Sequence, residues 1–62
     1  MKDLIKDGHK YYHKVKSGET LWNVSKLYDV SIEQLQNLNK IKSVSLSDMD
    51  FVLVYVKEDS DD

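Results

Sequence analysis

Apolar and polar positions change period several times along this chain, and each change marks an element. Tyr11-Tyr12-His13-Lys14-Val15-Lys16 alternates and is rich in residues that favour extended backbone, which predicts a strand. Ser17-Gly18 ends it, because Gly supplies the positive φ that turns require. Beyond the turn the period lengthens. Leu21, Val24, Leu27 and Tyr28 recur at i, i+3, i+6 and i+7, the single stripe of a helix capped by Thr20 or Glu19 and running to about Tyr28. After a break at Tyr28-Asp29-Val30-Ser31 a second helix begins. Ser31-Ile32-Glu33-Gln34 has the form of a capping box, and Val30 and Leu35 are placed as a hydrophobic staple beside it. Ile32, Leu35 and Leu38 carry the apolar face to Leu38-Asn39. A loop rich in Ser and Asp covers about residues 40–50, and Phe51-Val52-Leu53-Val54-Tyr55-Val56 is the strongest strand signal in the chain.

Strand, helix, helix, strand predicts an α+β fold of β-α-α-β type: a two-stranded antiparallel sheet with both helices packed on one face. Its expected core is Val15, Leu21, Val24, Leu27, Val30, Leu35, Leu38, Leu46, Val52 and Val54. Residues 11–57 form the domain. Residues 1–10 read either as a leader or as an extra short strand, since Asp7-Gly8 between Leu4-Ile5 and Tyr11-Tyr12 is a hairpin signal. Residues 58–62, Glu58-Asp59-Ser60-Asp61-Asp62, read as an acidic, solvated tail. If Val52, Val54 and Val56 face the helices, then Phe51, Leu53 and Tyr55 face the other way, and Tyr12 joins them. A bare aromatic and aliphatic sheet face is unusual on a small soluble monomer. Self-association or docking into a larger assembly through Tyr12, Phe51, Leu53 and Tyr55 is therefore expected.

Composition narrows the choice of function. Sixty-two residues make one domain, near the lower limit for a fold without staples. There is no Cys, so no disulfide, and two His are too few for a closed zinc site; neither a cofactor nor a metal is expected. The net charge of -2 hides the tail, because residues 1–57 hold nine Lys and seven acids, a net of +2. Neither value marks a polyanion or membrane binder. No stretch approaches the roughly 20 apolar residues of a membrane span. Met1 to Asp7 has no apolar run of a secretion signal, so work outside a cell would need a larger parent protein or lysis.

Two other classes fit less well. The helix pair has the outline of a DNA-reading helix-turn-helix, but Ile32 to Asn39 offers Glu33, Gln34, Gln36 and Asn37 with no Lys, and the chain has no Arg. An enzyme would need a nucleophile or acid–base arrangement that is not evident. His9 and His13 stand four apart, a chelating pair on a helix but not in a strand. His13 reads as a partly buried core residue and His9 as a surface residue near a turn. Trp22 reads as a cover for the helix edge, with sugar stacking the alternative.

The stretch Ser17-Gly18-Glu19-Thr20-Leu21-Trp22 is the most specific signal. With His13, Val15, Val24, Ser25, Tyr28, Val30-Ser31, Leu35 and Leu38-Asn39 in register, residues 11–56 resemble the LysM family of small glycan-binding modules. Glu19 stands where that family usually has Asp. Near the end, Leu46, Val52 and Val54 fit its pattern, while Asp48 and Met49 replace a Pro-Gly turn. The resemblance implies non-catalytic binding of N-acetylglucosamine polymers, peptidoglycan or chitin oligomers, with peptidoglycan expected. By position it implies a groove with Gly18, Glu19, Thr20 and Leu21 on one side and Ile41, Lys42, Ser43, Leu46 and Ser47 on the other. The chemistry is compatible: an acetamido sugar wants apolar contacts beside backbone donors, and a helix start offers unpaired N–H groups. Affinity per module should be weak, about 0.1–1 mM, so attachment would rest on several modules or a repetitive polymer. A module of the same fold acting through its sheet face is the alternative.

Overall fold

The computed structural model describes residues 4–57; the acidic stretch 58–62 lies outside the described residues. The elements run β1 (Leu4–Asp7), β2 (Lys10–Lys14), α1 (Leu21–Tyr28), α2 (Ile32–Asn39) and β3 (Phe51–Val56). The sheet has three strands in the order β1-β2-β3, every pair antiparallel, rather than the two expected. The added strand comes from Asp7-Gly8: Asp7 pairs Lys10 across a loop of Gly8 and His9, with Gly8 at φ 66° and His9 at negative φ. That pattern is the type II′ turn, whose twist suits a hairpin.

Both helices start on a polar cap and stop the same way. Thr20 precedes α1, and Asn23 Oδ1 accepts from the Thr20 N–H at 2.8 Å. Ser31 precedes α2, where its hydroxyl accepts from the Gln34 N–H at 3.0 Å. Each helix then ends on a left-handed residue, Asp29 (φ 57°) and Lys40 (φ 56°). The next N–H reaches back five residues, Val30 to the Ser25 carbonyl (3.1 Å) and Ile41 to that of Gln36 (3.0 Å). This is the Schellman stop, and Val30 and Ile41 are its hydrophobic partners, both half-buried against the core.

The core is Leu21, Val24, Leu35, Leu46, Val52 and Val54, closed by the fully buried His13. Val15 and Val30 pack on it half-buried, and Leu38 is half-buried as well. Leu27 is a correction, since it is 45% exposed. Six residues on from Leu21, it stands about 120° round the helix from that side chain and off the buried stripe. Trp22 is a second correction. It is 60% exposed and covers no edge.

A bulge in β3 rearranges the sheet faces. Tyr12 pairs Leu53 but Tyr11 pairs Tyr55, so Val54 has no partner and the alternation shifts by one. Tyr55 therefore lies on the helix side with Tyr11, ring centroids 5.6 Å apart, and not beside Phe51 and Leu53 as expected. Val56 moves the opposite way, pairing Lys10 on the outer face, and is exposed. The outer apolar face is thus Ile5, Tyr12, Phe51, Leu53 and Val56. On the far edge of β3, Asn39 takes the place of a fourth strand. Its side chain donates to the Leu53 carbonyl (2.9 Å) and accepts from the Leu53 N–H (2.8 Å). Among the described residues no helix is long and apolar enough to cross a membrane.

Candidate functional site

The turn after β2 and the loop before β3 meet across the start of α1. The Leu21 N–H donates to the Val44 carbonyl (2.9 Å), and Thr20 and Ser45 form an isolated antiparallel bridge. One of the N–H groups expected to be open at that helix start is therefore already used. Further along, the Met49 N–H closes a turn on the Leu46 carbonyl (3.0 Å), and the Val15 N–H reaches the Asp50 carbonyl (2.9 Å). Between these ties lies a groove of about 410 Å³ lined by residues 15–20 on one side and by Ser45, Leu46, Ser47, Met49 and Asp50 on the other.

Its chemistry is mixed. Val15, Leu46 and Met49 supply apolar surface, while Ser17, Thr20, Ser45 and Ser47 bring hydroxyls and Lys16, Glu19 and Asp50 bring charge. The serines are linked, Ser45 Oγ to Ser47 Oγ at 3.3 Å, and each hydroxyl retains acceptor capacity beyond one such bond. The volume lies within the roughly 300–1,000 Å³ of small-molecule sites. Among the described residues no group of three or more His, Asp or Glu is placed to hold a metal.

Of the positions proposed from sequence, Gly18, Glu19, Thr20, Leu46 and Ser47 line this groove. The other four lie elsewhere. Leu21 is fully buried in the core. Ile41 is the hydrophobic partner of the α2 stop, and Gln36 Nε2 holds the Lys42 and Ser43 carbonyls at 3.0 and 3.3 Å. That clamp ties residues 41–43 to α2 and leaves residues 45–50 as the wall. Val15, Lys16, Ser17, Ser45, Met49 and Asp50 line the groove without having been among the expected site residues; the alternation Ser43-x-Ser45-x-Ser47 was the signal available for Ser45. Met49, in place of a glycine, has negative φ, so the turn there suits an L-residue. Trp22 is not among the lining residues.

Behind the turn runs a buried hydrogen-bond chain. His13 Nε2 lies 2.8 Å from Glu19 Oε1, and His13 Nδ1 lies 2.7 Å from the Tyr28 hydroxyl. A carboxylate only accepts, so Nε2 carries the hydrogen, and in the neutral imidazole Nδ1 accepts from Tyr28. The Lys16 N–H donates to the same Glu19 oxygen at 2.9 Å. Burial raises the Glu19 carboxyl, but the bonds from the Lys16 N–H and His13, and the attraction of both residues, outweigh it. The group is held below its ordinary value of 4.5.

Comparison with known proteins identifies the family. The uncharacterized protein YkzQ of Bacillus subtilis is 46% identical over 35 residues, covering 56% of this chain and 45% of that protein. The probable peptidoglycan endopeptidase LytE of Bacillus subtilis is 52% identical over 31 residues, half of this chain and 9% of LytE. A probable N-acetylmuramidase of Lactococcus lactis is 48% identical over 31 residues, again half of this chain and 7% of that enzyme. The chain thus spans under half the length of each of these relatives. No solved structure matches it significantly. The model of the LysM domain matches residues 13–47, more than half of the chain, and the chain belongs to the LysM domain family, whose members are generally peptidoglycan- or chitin-binding modules.

Proposed function

We propose that this chain is a non-catalytic module that attaches to N-acetylglucosamine-containing polymers, with peptidoglycan ahead of chitin, through the groove between residues 15–20 and 45–50. The observation that carries the reading is the groove itself, where apolar Val15, Leu46 and Met49 sit beside a row of hydroxyls. An acetamido sugar presents a methyl group, an amide and hydroxyls, and that lining offers a partner to each. Relatives named as a peptidoglycan endopeptidase and an N-acetylmuramidase favour the bacterial polymer. Action then lies at the cell wall. Co-sedimentation with purified peptidoglycan and with chitin tests the proposal. The wild-type chain should pellet with peptidoglycan, and Ser47→Trp, which fills the groove from an exposed position, should stay in solution. Wild-type protein that remains in the supernatant with both polymers would contradict the reading.

A second reading, self-association through the outer sheet face, draws on the exposed Ile5, Phe51 and Val56 on one side of the sheet. Beside Phe51, a cavity of about 440 Å³ is lined by Ile5, Lys6, Asp7 and Tyr12. Sedimentation equilibrium at high micromolar concentration decides it: a dimer that Phe51→Ser abolishes supports it, and a monomer contradicts it.

A further inference from the structure

The turn after β2 forms one wall of the groove. At the tip of that wall, a side-chain carbon added at Gly18 would meet nothing within 4 Å. Gly18 also sits at φ 80°, and the Glu19 N–H donates to the Lys16 carbonyl at 3.0 Å across the turn. The Glu19 carboxylate turns inward, its side chain only 14% exposed, and one oxygen accepts from both the Lys16 N–H and His13. His13 is fully buried, so its ring nitrogens need the partners they have in Glu19 and Tyr28. Tyr28, at the end of α1, does not line the groove; it borders a different cleft with Leu4, Tyr11, Val30, Val54 and Tyr55.

We propose that the Tyr28–His13–Glu19 chain holds the turn wall in its binding shape, which makes Glu19 a positioning residue and not a sugar contact. The chain references residues 16–19 to two rigid elements at once, β2 through His13 and α1 through Tyr28. Without it, residues 16–19 would lose this tie to β2 and α1, and the bound glycan would have to order them. A cost of that kind appears as lost affinity even when the fold survives. This inference rests on the glycan reading above and adds to it a prediction about His13 and Tyr28, which do not line the groove.

The test measures affinity for an N-acetylglucosamine oligomer of about five units, with ¹H–¹⁵N spectra confirming that each variant is folded. Tyr28→Phe, which loses one hydrogen bond, should weaken binding about threefold to tenfold, and Glu19→Ala, which loses two, at least as much. Glu19→Gln should bind within about twofold of wild type, because its amide oxygen accepts the same two bonds. The Lys16 amide, which donates to Glu19, should shift in Glu19→Ala and Tyr28→Phe and stay near its wild-type position in Glu19→Gln. If wild type binds and Tyr28→Phe binds equally well, with Lys16 unmoved, the positioning role is overturned while the glycan reading stands. If Glu19→Gln loses as much as Glu19→Ala, Glu19 acts on the sugar by its charge and the proposal also falls. A wild-type chain that binds no oligomer fails at the earlier step.

Discussion

Glu19 and His13 give each other their conformations, and the consequence is a pH dependence. Because the folded Glu19 is held below 4.5, the stability it contributes is fully present above that value. It is lost as pH falls through the lowered folded value. The groups facing Glu19 are His13 from β2 and Lys16 from the turn, with Tyr28 of α1 behind His13; Asp50 shares the groove. Comparing wild type with Glu19→Gln isolates its share. Between about pH 5 and pH 3 the wild-type melting temperature should fall more steeply than that of the variant, as circular dichroism would show; parallel curves would contradict the linkage. The left-handed stops give a second prediction at this scale. A left-handed L-residue costs about 1–2 kcal/mol, while Gly adds about 0.5–1 kcal/mol of unfolded-state entropy. Lys40→Gly should therefore stabilise the domain, by up to about 1 kcal/mol in urea denaturation. Sequence gave little warning here, since Asp29 and Lys40 stand where Gly usually marks a helix end. His13 was legible as a core residue from its alternation, but not its two partners, which are 6 and 15 residues away.

At the scale of elements, periodicity identified the helices and β3 because each presents one regular face. It missed what breaks regularity. The bulge at Val54 is invisible in Phe51-Val52-Leu53-Val54-Tyr55-Val56, which alternates as if unbroken, so Tyr55 and Val56 were assigned to the wrong faces. The same limit applied to Leu27, which lies on the margin of an apolar stripe that the short α1 does not fully cover. Asn39 shows the opposite case, a polar residue at a helix end whose role only the fold reveals. Its amide occupies both the N–H and the carbonyl of Leu53 and bonds the Leu35 carbonyl as well (2.8 Å). Asn39→Ala leaves these groups unmatched at a half-buried edge, and we expect a loss of about 1–3 kcal/mol in denaturant unfolding. A change below about 0.5 kcal/mol would mean that water replaces the amide without penalty.

At the scale of the whole molecule, the groove exists because two connections far apart in sequence converge on the start of α1. Gly18 to Thr20 and Leu46-Ser47 were legible through their resemblance to a known pattern. The position of residues 41–43 was not, because the Gln36 side-chain clamp and the α2 stop tie them to α2, and both appear only in the folded chain. The most direct test of the central claim is a ¹⁵N chemical-shift titration with N-acetylglucosamine oligomers of about four to six units, repeated with muropeptides. Shifts clustered on residues 15–20 and 45–50, saturating at about 0.1–1 mM, are what this structure predicts. Shifts confined to the outer sheet face around Phe51 and Leu53, or none at several times that concentration, would contradict it.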